Sequence, residues 1–206
     1  MYKSIGRPWK TFFTSDEMEL LKSVMSTIDN SGQDILPPRN EVLDIFCKIY
    51  PQDIKVIIVG QSPYPSVEDV CGIPFISRTR STPDSLKNIQ KEIQRQYNIW
   101  VRNPNDMILS WIDKGVFLIN NSLTLGINLP KHHQYLGNHS IIWREFMSHL
   151  LVFLTKDPTI PVVLMGDIAW ELDTFVKNSN CVLKVPHPTS RGTKTFKGCG
   201  VFEKIN

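Results

Sequence analysis

The stretch Ile54-Lys55-Val56-Ile57-Ile58-Val59-Gly60-Gln61-Ser62-Pro63-Tyr64-Pro65 decides how the rest of the chain is read. Its first half is apolar and β-branched apart from Lys55, without the alternation of a half-solvated strand. That pattern predicts a short strand buried on both faces, as in a parallel sheet. Its second half is a polar loop stiffened by two prolines, leaving the strand at its carboxyl end. Three further runs have the same character: Val116–Ile119, Pro161–Met165 and Cys181–Val185, closed by Asn120, Gly166 and Pro186. Helical spacing fills the intervals. Residues 84–97 carry apolar positions at Leu86, Ile89 and Ile93, and residues 139–154 carry them at Ile142, Phe146, Leu150 and Phe153. Segments 105–114 and 168–177 are shorter helical candidates, and two more helices, about 15–28 and 39–49, precede the first strand. Alternation of this kind predicts a three-layer α/β/α fold with a central four-stranded parallel sheet, in one domain over residues 1–206.

Composition agrees with a globular domain. The chain has 206 residues, 41% hydrophobic and 21% charged, enough for a real core and too short for two large domains. The 23 basic and 20 acidic residues give a net charge of +3, which permits contact with nucleic acid without demanding it. No apolar run approaches the roughly 20 residues of a membrane span, and the opening residues 1–13 lack the apolar core of a signal peptide, so no membrane partner is expected. Cys47, Cys71, Cys181 and Cys199 form no Cys-x-x-Cys pair. They read as reduced thiols of a cytoplasmic protein, or a nuclear one in a nucleated or viral host. His132 and His133 are adjacent and their side chains diverge. Neither a metal nor a cofactor is expected.

An open parallel sheet places its site beyond the carboxyl ends of its strands. The segments there are Gly60–Pro65, Asn120-Asn121-Ser122, Gly166-Asp167 and Pro186–Gly192. They bring a histidine, an amide, a tyrosine and an arginine to one rim. Read singly, each has a plainer explanation: His187 as a satisfied loop histidine, Asn120 as a turn or helix cap, Tyr64 and Phe75 as core, Trp143 as core on an amphipathic helix. The basic residues Lys184, Arg191, Lys194 and Lys197 near the carboxyl end read singly as a solvated face.

Together these segments resemble family 1 uracil-DNA glycosylases, nearly end to end. The family's Gly-Gln-Asp-Pro-Tyr-His is similar to Gly60–Pro65, its Gly-Leu-Ser-Phe-Ser to Gly72–Ile76, and its Pro-Pro-Ser-Leu-x-Asn-Ile to Pro83–Ile89. Its Leu-Leu-Leu-Asn resembles Phe117–Asn120, its Gly-Trp is echoed by Trp143, and its Gly-Ser by Gly166-Asp167. Its His-Pro-Ser-Pro-Leu-Ser resembles His187–Gly192, after which Phe196, Gly198, Cys199 and Phe202 keep the family spacing. The resemblance implies an enzyme that everts deoxyuridine from DNA and breaks its C1′–N1 bond. It assigns His187 to the departing base anion, Asn120 and Gln61 to uracil, Phe75 to stacking on it and Tyr64 to exclusion of a 5-methyl group. Ser85, Gly166, Asp167, Pro188, Thr189, Ser190 and Arg191 fall on the DNA-binding loops.

Five positions depart from the pattern, of which Pro65 is tolerable. Ser62 stands where the family has the Asp that orients water and faces the sugar cation; losing one such group costs about 3–4 kcal/mol, some 100- to 1000-fold in rate. Asp84 and Asp167 stand in loops that hold phosphates, where a carboxylate repels. Arg191 replaces the Leu that fills the gap of the everted base, and Pro65 replaces a His, as in the poxvirus branch. The resemblance with these departures implies a uracil pocket retained in an impaired, pseudo-enzyme-like monomer that acts by binding. The expected partner is a DNA-mimicking inhibitor protein or, weakly, uracil-containing DNA. The alternative is an active uracil-DNA glycosylase of base-excision repair.

Overall fold

The computed structural model describes residues 5–79, 82–127, 139–176, 179–191, 193 and 195–205. Four parallel strands, β2 (Val56–Gly60), β3 (Val116–Asn120), β5 (Val162–Met165) and β6 (Val182–Val185), lie in the order β3-β2-β5-β6. Residues 57–60 and 117–120 are buried on both faces, which is why the sequence shows runs there and no alternation. Helices cover both sides of the sheet. On one side α1 (Ser15–Asn30) packs on α4 (Ser140–Leu154); α2 (Asp84–Tyr97), α3 (Pro104–Asp113) and α6 (Val201–Lys204) associate with one another. The three-layer α/β/α architecture and its four-stranded sheet stand as read from the sequence. Among the described residues no helix is long and apolar enough to cross a membrane.

Each main helix has its local reason. Asn103 accepts a hydrogen bond from the Asn105 N–H at 3.0 Å and Pro104 opens the first turn, so α3 starts there. α2 ends at Asn98, whose φ of +52° is a left-handed C-cap that asparagine tolerates. The core on the α1/α4 side is aromatic: Trp9 sits 4.8 Å from Phe46 and 5.5 Å from Phe117, ring centre to ring centre, and its indole N–H donates to the Ile49 carbonyl at 2.8 Å. Trp143 is fully buried, as its helical position suggested, and its N–H donates to Thr124 Oγ1.

Two sequence expectations fail locally. Residues 39–49 form two 3₁₀ turns, Arg39–Glu41 and Asp44–Cys47, instead of one helix. The apolar spacing Val42, Leu43, Ile45, Phe46, Ile49 suits either geometry, and all five side chains are buried by the tighter turns. Residues 168–177 shorten to α5 (Asp167–Trp170) and a 3₁₀ turn, Glu171–Phe175. There the Trp170 indole N–H is shared between the carbonyls of Leu164 at 3.1 Å and Val185 at 3.0 Å, which binds the turn to the strand ends. A small antiparallel pair, β1 (Asp34–Leu36) with β4 (Leu125–Ile127), and the helix α6 had no counterpart in the sequence reading.

One buried charge ties the carboxyl-terminal segment to α2. The fully buried Glu92 carboxylate accepts from Arg95 Nε (3.0 Å) and Nη2 (2.8 Å), Gln96 Nε2 (2.7 Å) and the N–H groups of Gly198 (2.8 Å) and Gly200 (3.2 Å). Burial alone pushes this carboxyl up; the donors, Arg95 first among them, outweigh it and bring it down to about 2.

Candidate active site

The connections from β2 and β5 run in opposite directions across the sheet, so a crevice opens at their carboxyl ends. The loops predicted to meet do meet there. Gln61, Ser62, Tyr64, Phe75, Ser85, Asn120, His187 and Thr189 line one cavity of about 260 Å³. Pro63, Pro65 and Asp84 line it as well, and Cys71, Ile73, Pro74 and Pro83, to which the sequence reading gave no site role, add to its walls.

Glycine decides two of the contacts. Parallel register sets Gly60 opposite Asn120. A Cβ on Gly60 would stand 2.5 Å from Asn120 Oδ1 and 3.1 Å from Phe75 Cζ, so only glycine lets the amide and the ring close over the strand end. Gly166 has φ +93°, and a Cβ there would overlap the Gln61 carboxamide and come within 2.9 Å of His187 Cβ. The end of β5 thus seats two site residues against bare backbone. Asn120 is 8% exposed, and among the described residues its carboxamide engages no other group, leaving donor and acceptor to a ligand.

The aromatic wall is held under strain. Phe75 has φ +66°, a conformation that costs a non-glycine residue about 1–3 kcal/mol and persists only where its surroundings enforce it. The enforcement is visible two residues on. The Ser77 N–H donates to Asn105 Oδ1 at 3.1 Å, and Asn105 Nδ2 donates to the Ser77 carbonyl at 2.7 Å. Asp69 accepts from the Ser77 hydroxyl at 2.7 Å and from that of Thr79. Asp69 is therefore engaged within its loop and is not among the residues lining the cavity. Nothing in the sequence pattern pointed to Asn105.

His187 carries a defined tautomer. Its Nδ1 accepts from the Thr189 N–H at 3.2 Å and lies 2.8 Å from the Thr189 hydroxyl. With Nδ1 an acceptor, the proton of the neutral ring sits on Nε2. Burial lowers the His187 pKa, so the neutral ring is the resting form at pH 7. Asn88 Nδ2 holds the Pro188 carbonyl at 2.8 Å and fixes the loop from the α2 side. Across the cavity the Tyr64 hydroxyl meets Ser85 Oγ at 3.0 Å, and burial pushes the phenol up to about 12, so it stays protonated. The Ser62 hydroxyl engages no other described group.

The predicted DNA-contact residues divide. Ser85 and Thr189 belong to the cavity, Pro188 and Ser190 face a neighbouring groove, and Gly166 supports Gln61 and His187 from behind. Asp167 begins α5 and is exposed; Arg191 is exposed beyond the cavity. Asp84, expected against a phosphate, is among the described residues the one formally charged side chain lining the cavity. Within the basic cluster read from the sequence, Lys184 is ion-paired with Asp173. Lys194, Gly192, His132 and His133 lie outside the described residues. Cys71, Cys181 and Cys199 are half-buried free thiols, whereas Cys47 is exposed.

An aromatic face, an unsatisfied amide, a neutral N–H and a rigid rim make a slot for a flat, uncharged heterocycle with donors and acceptors on its edge. Comparison with known proteins gives the same class. Residues 47–206 match the family model of the uracil DNA glycosylase superfamily, and the chain belongs to that family. A uracil-DNA glycosylase of Dictyostelium discoideum is 35% identical over 176 residues, covering 84% of this chain and 49% of that protein, so the chain spans about half of that relative. One from Campylobacter jejuni is 30% identical over 210 residues, covering 98% of this chain and 88% of that protein. The crystal structure of mimivirus uracil-DNA glycosylase superposes with a TM-score of 0.80 at 25% identity, over 98% of this chain and 82% of that one. A variant of the mimivirus protein has been solved in complex with UGI; it is 25% identical, with a TM-score of 0.78 over 98% of this chain and 83% of that one.

Proposed function

We propose that this chain is a uracil-DNA N-glycosylase slowed by the loss of its water-orienting carboxylate. The observation that carries the reading is His187 with its proton on Nε2, set by the Thr189 N–H on Nδ1. In the reaction the C1′–N1 bond breaks and its electron pair leaves with uracil, which departs as an anion delocalised over N1 and O2. The sugar is left as an oxocarbenium ion, water adds to C1′, and that water's proton passes to solvent or to the base. A neutral N–H donor aimed at the anion stabilises charge that exists only as the bond breaks. Asn120 supplies an acceptor for N3–H and a donor for O4, Phe75 stacks on the ring, and Tyr64 fills the place of a 5-methyl group.

Ser62 cannot offer negative charge to the cation, and this lowers the rate about 100- to 1000-fold without removing the leaving-group term. The strain kept at Phe75, which packs on the core and also walls the cavity, and the open amide of Asn120 support retained base binding. Asp84 at the cavity, paired with Lys87 at 3.4 Å, does not favour the second reading, a binding-only protein. A carboxylate there repels a phosphate and the acidic surface of a DNA-mimicking inhibitor alike, so it weakens both proposed partners rather than selecting one.

Uracil release from single- and double-stranded oligonucleotides, for the chain and for Ser62→Asp, separates the readings. Slow turnover that rises about 100-fold or more in Ser62→Asp is the expected result. No release by either protein, with an inhibitor protein still bound, establishes the binding-only reading.

A further inference from the structure

Beside the base cavity, on the other side of the His187 loop, lies a wider groove of about 730 Å³ that the reaction does not use. Its walls are the exposed face of α2 and the segment 195–197. Along the loop the residues alternate: His187 and Thr189 face the cavity, Pro188 and Ser190 face the groove. One strip of backbone, pinned by Asn88 to Pro188, is therefore the common wall of both.

The groove is basic. Lys91, Arg95 and Lys197 line it, with the amides of Asn88, Gln94 and Asn98 and the hydroxyl of Ser190. The acid among its lining residues, Glu92, is buried and fully engaged by Arg95, Gln96 and two backbone N–H groups, so it offers no negative face to a ligand. Among the described residues Lys91 and Lys197 have no ion-pair partner. Arg95 keeps Nη1 for a further partner, since Glu92 takes Nε and Nη2.

We propose that this groove seats the sugar-phosphate backbone of the strand whose base enters the cavity, with Lys91, Arg95 and Lys197 as phosphate contacts. The inference rests on the glycosylase reading and adds to it three cations, Lys91, Arg95 and Lys197, to which the resemblance gave no role. Continuity with the cavity favours a nucleic-acid backbone over an acidic peptide: a chain that delivers a base to His187 passes the loop whose other side is Pro188 and Ser190. The groove also offsets the repulsion at Asp84, because cation contacts on the flank replace those missing at the rim.

The test is fluorescence anisotropy with a single-stranded oligonucleotide carrying 2′-fluoro-deoxyuridine, which resists hydrolysis, between about 50 and 200 mM salt. Wild type is compared with Lys91→Glu/Lys197→Glu and with the remote pair Lys10→Glu/Lys48→Glu, exposed residues outside the groove that change net charge equally. Free uracil affinity is measured in parallel. The expected result is a log–log salt slope shallower by about 1.4, two phosphates at about 0.7 each, with affinity down about tenfold or more at low salt in the groove pair. The remote pair stays near wild type, and free uracil binding is unchanged in all three. An unchanged slope in the groove pair, or an equal fall in the remote pair, overturns the groove. Displacement of the oligonucleotide by polyglutamate from wild type, with no loss of oligonucleotide affinity in the groove pair, overturns it in favour of a peptide. Absence of uracil binding in wild type overturns the glycosylase reading itself, a separate outcome.

Discussion

Glu92→Gln isolates the buried charge that anchors the carboxyl-terminal segment. The carboxylate receives five donors, two on one oxygen and three on the other, and an amide can satisfy only one of those sets. Its pKa falls from 4.5 to about 2 on folding, which corresponds to about 3 kcal/mol of stability at neutral pH. Because the folded pKa is depressed, that stability is present above pH 4.5 and is lost as pH falls toward 2. By linkage about two-fifths of it remains at pH 3. A domain of this size shifts its Tm by about 2–4 °C per kcal/mol, so Glu92→Gln is expected to melt about 6–12 °C below wild type at pH 7. Scanning calorimetry of both proteins from pH 7 to pH 3 measures the gap. It should shrink by more than half over that range. A variant within about 2 °C of wild type at pH 7, or a gap that stays constant with pH, refutes the assignment of the donors to a charged carboxylate.

Other outcomes follow from the cavity. Uracil release is expected to be level from pH 8 down to about 6.5 and to decline only in acid, because burial lowers the His187 pKa and protonating the ring abolishes the Nδ1 acceptor. A decline that begins well above pH 6.5 contradicts the neutral ring. Tyr64, pushed up to about 12, adds no alkaline limb below pH of about 10. Gly166→Ala is expected to lower stability by about 1–3 kcal/mol and uracil affinity at least tenfold, since the methyl overlaps Gln61 and crowds His187; urea denaturation and uracil calorimetry check both. Tyr64→Phe breaks only the bond to Ser85, so stability falls by about 1 kcal/mol while thymine remains excluded in an oligonucleotide release assay.

How far the sequence disclosed this protein depends on how each feature is encoded. The strands β2, β3 and β5 were legible because burial on both faces leaves an unbroken apolar run, and the crevice followed from where those runs end. His187 was not legible alone; a histidine between two prolines has ordinary explanations, and its proposed role rests on the surrounding pattern. Residues 39–49 misled because α and 3₁₀ turns share the i, i+3 spacing that apolar residues reveal. β1 and β4 are three residues each, too short for any period to register. Asn105 imitates a strand edge toward Ser77, 28 residues away, and such an interaction leaves no mark in local composition. Asp84 lines the cavity at the start of α2 and pairs with Lys87 one turn on, a neighbour the loop reading had not considered.

The Asn105 clasp on Ser77 has a consequence for how substrates are sorted. The Phe75 ring inherits its position from α3, an element that does not line the cavity, so the fold itself sets the width of the slot. On the proposed glycosylase reading, a gauge fixed in advance judges by fit alone: a pyrimidine that is too broad is turned away at the entrance, and no later rearrangement is needed to reject it.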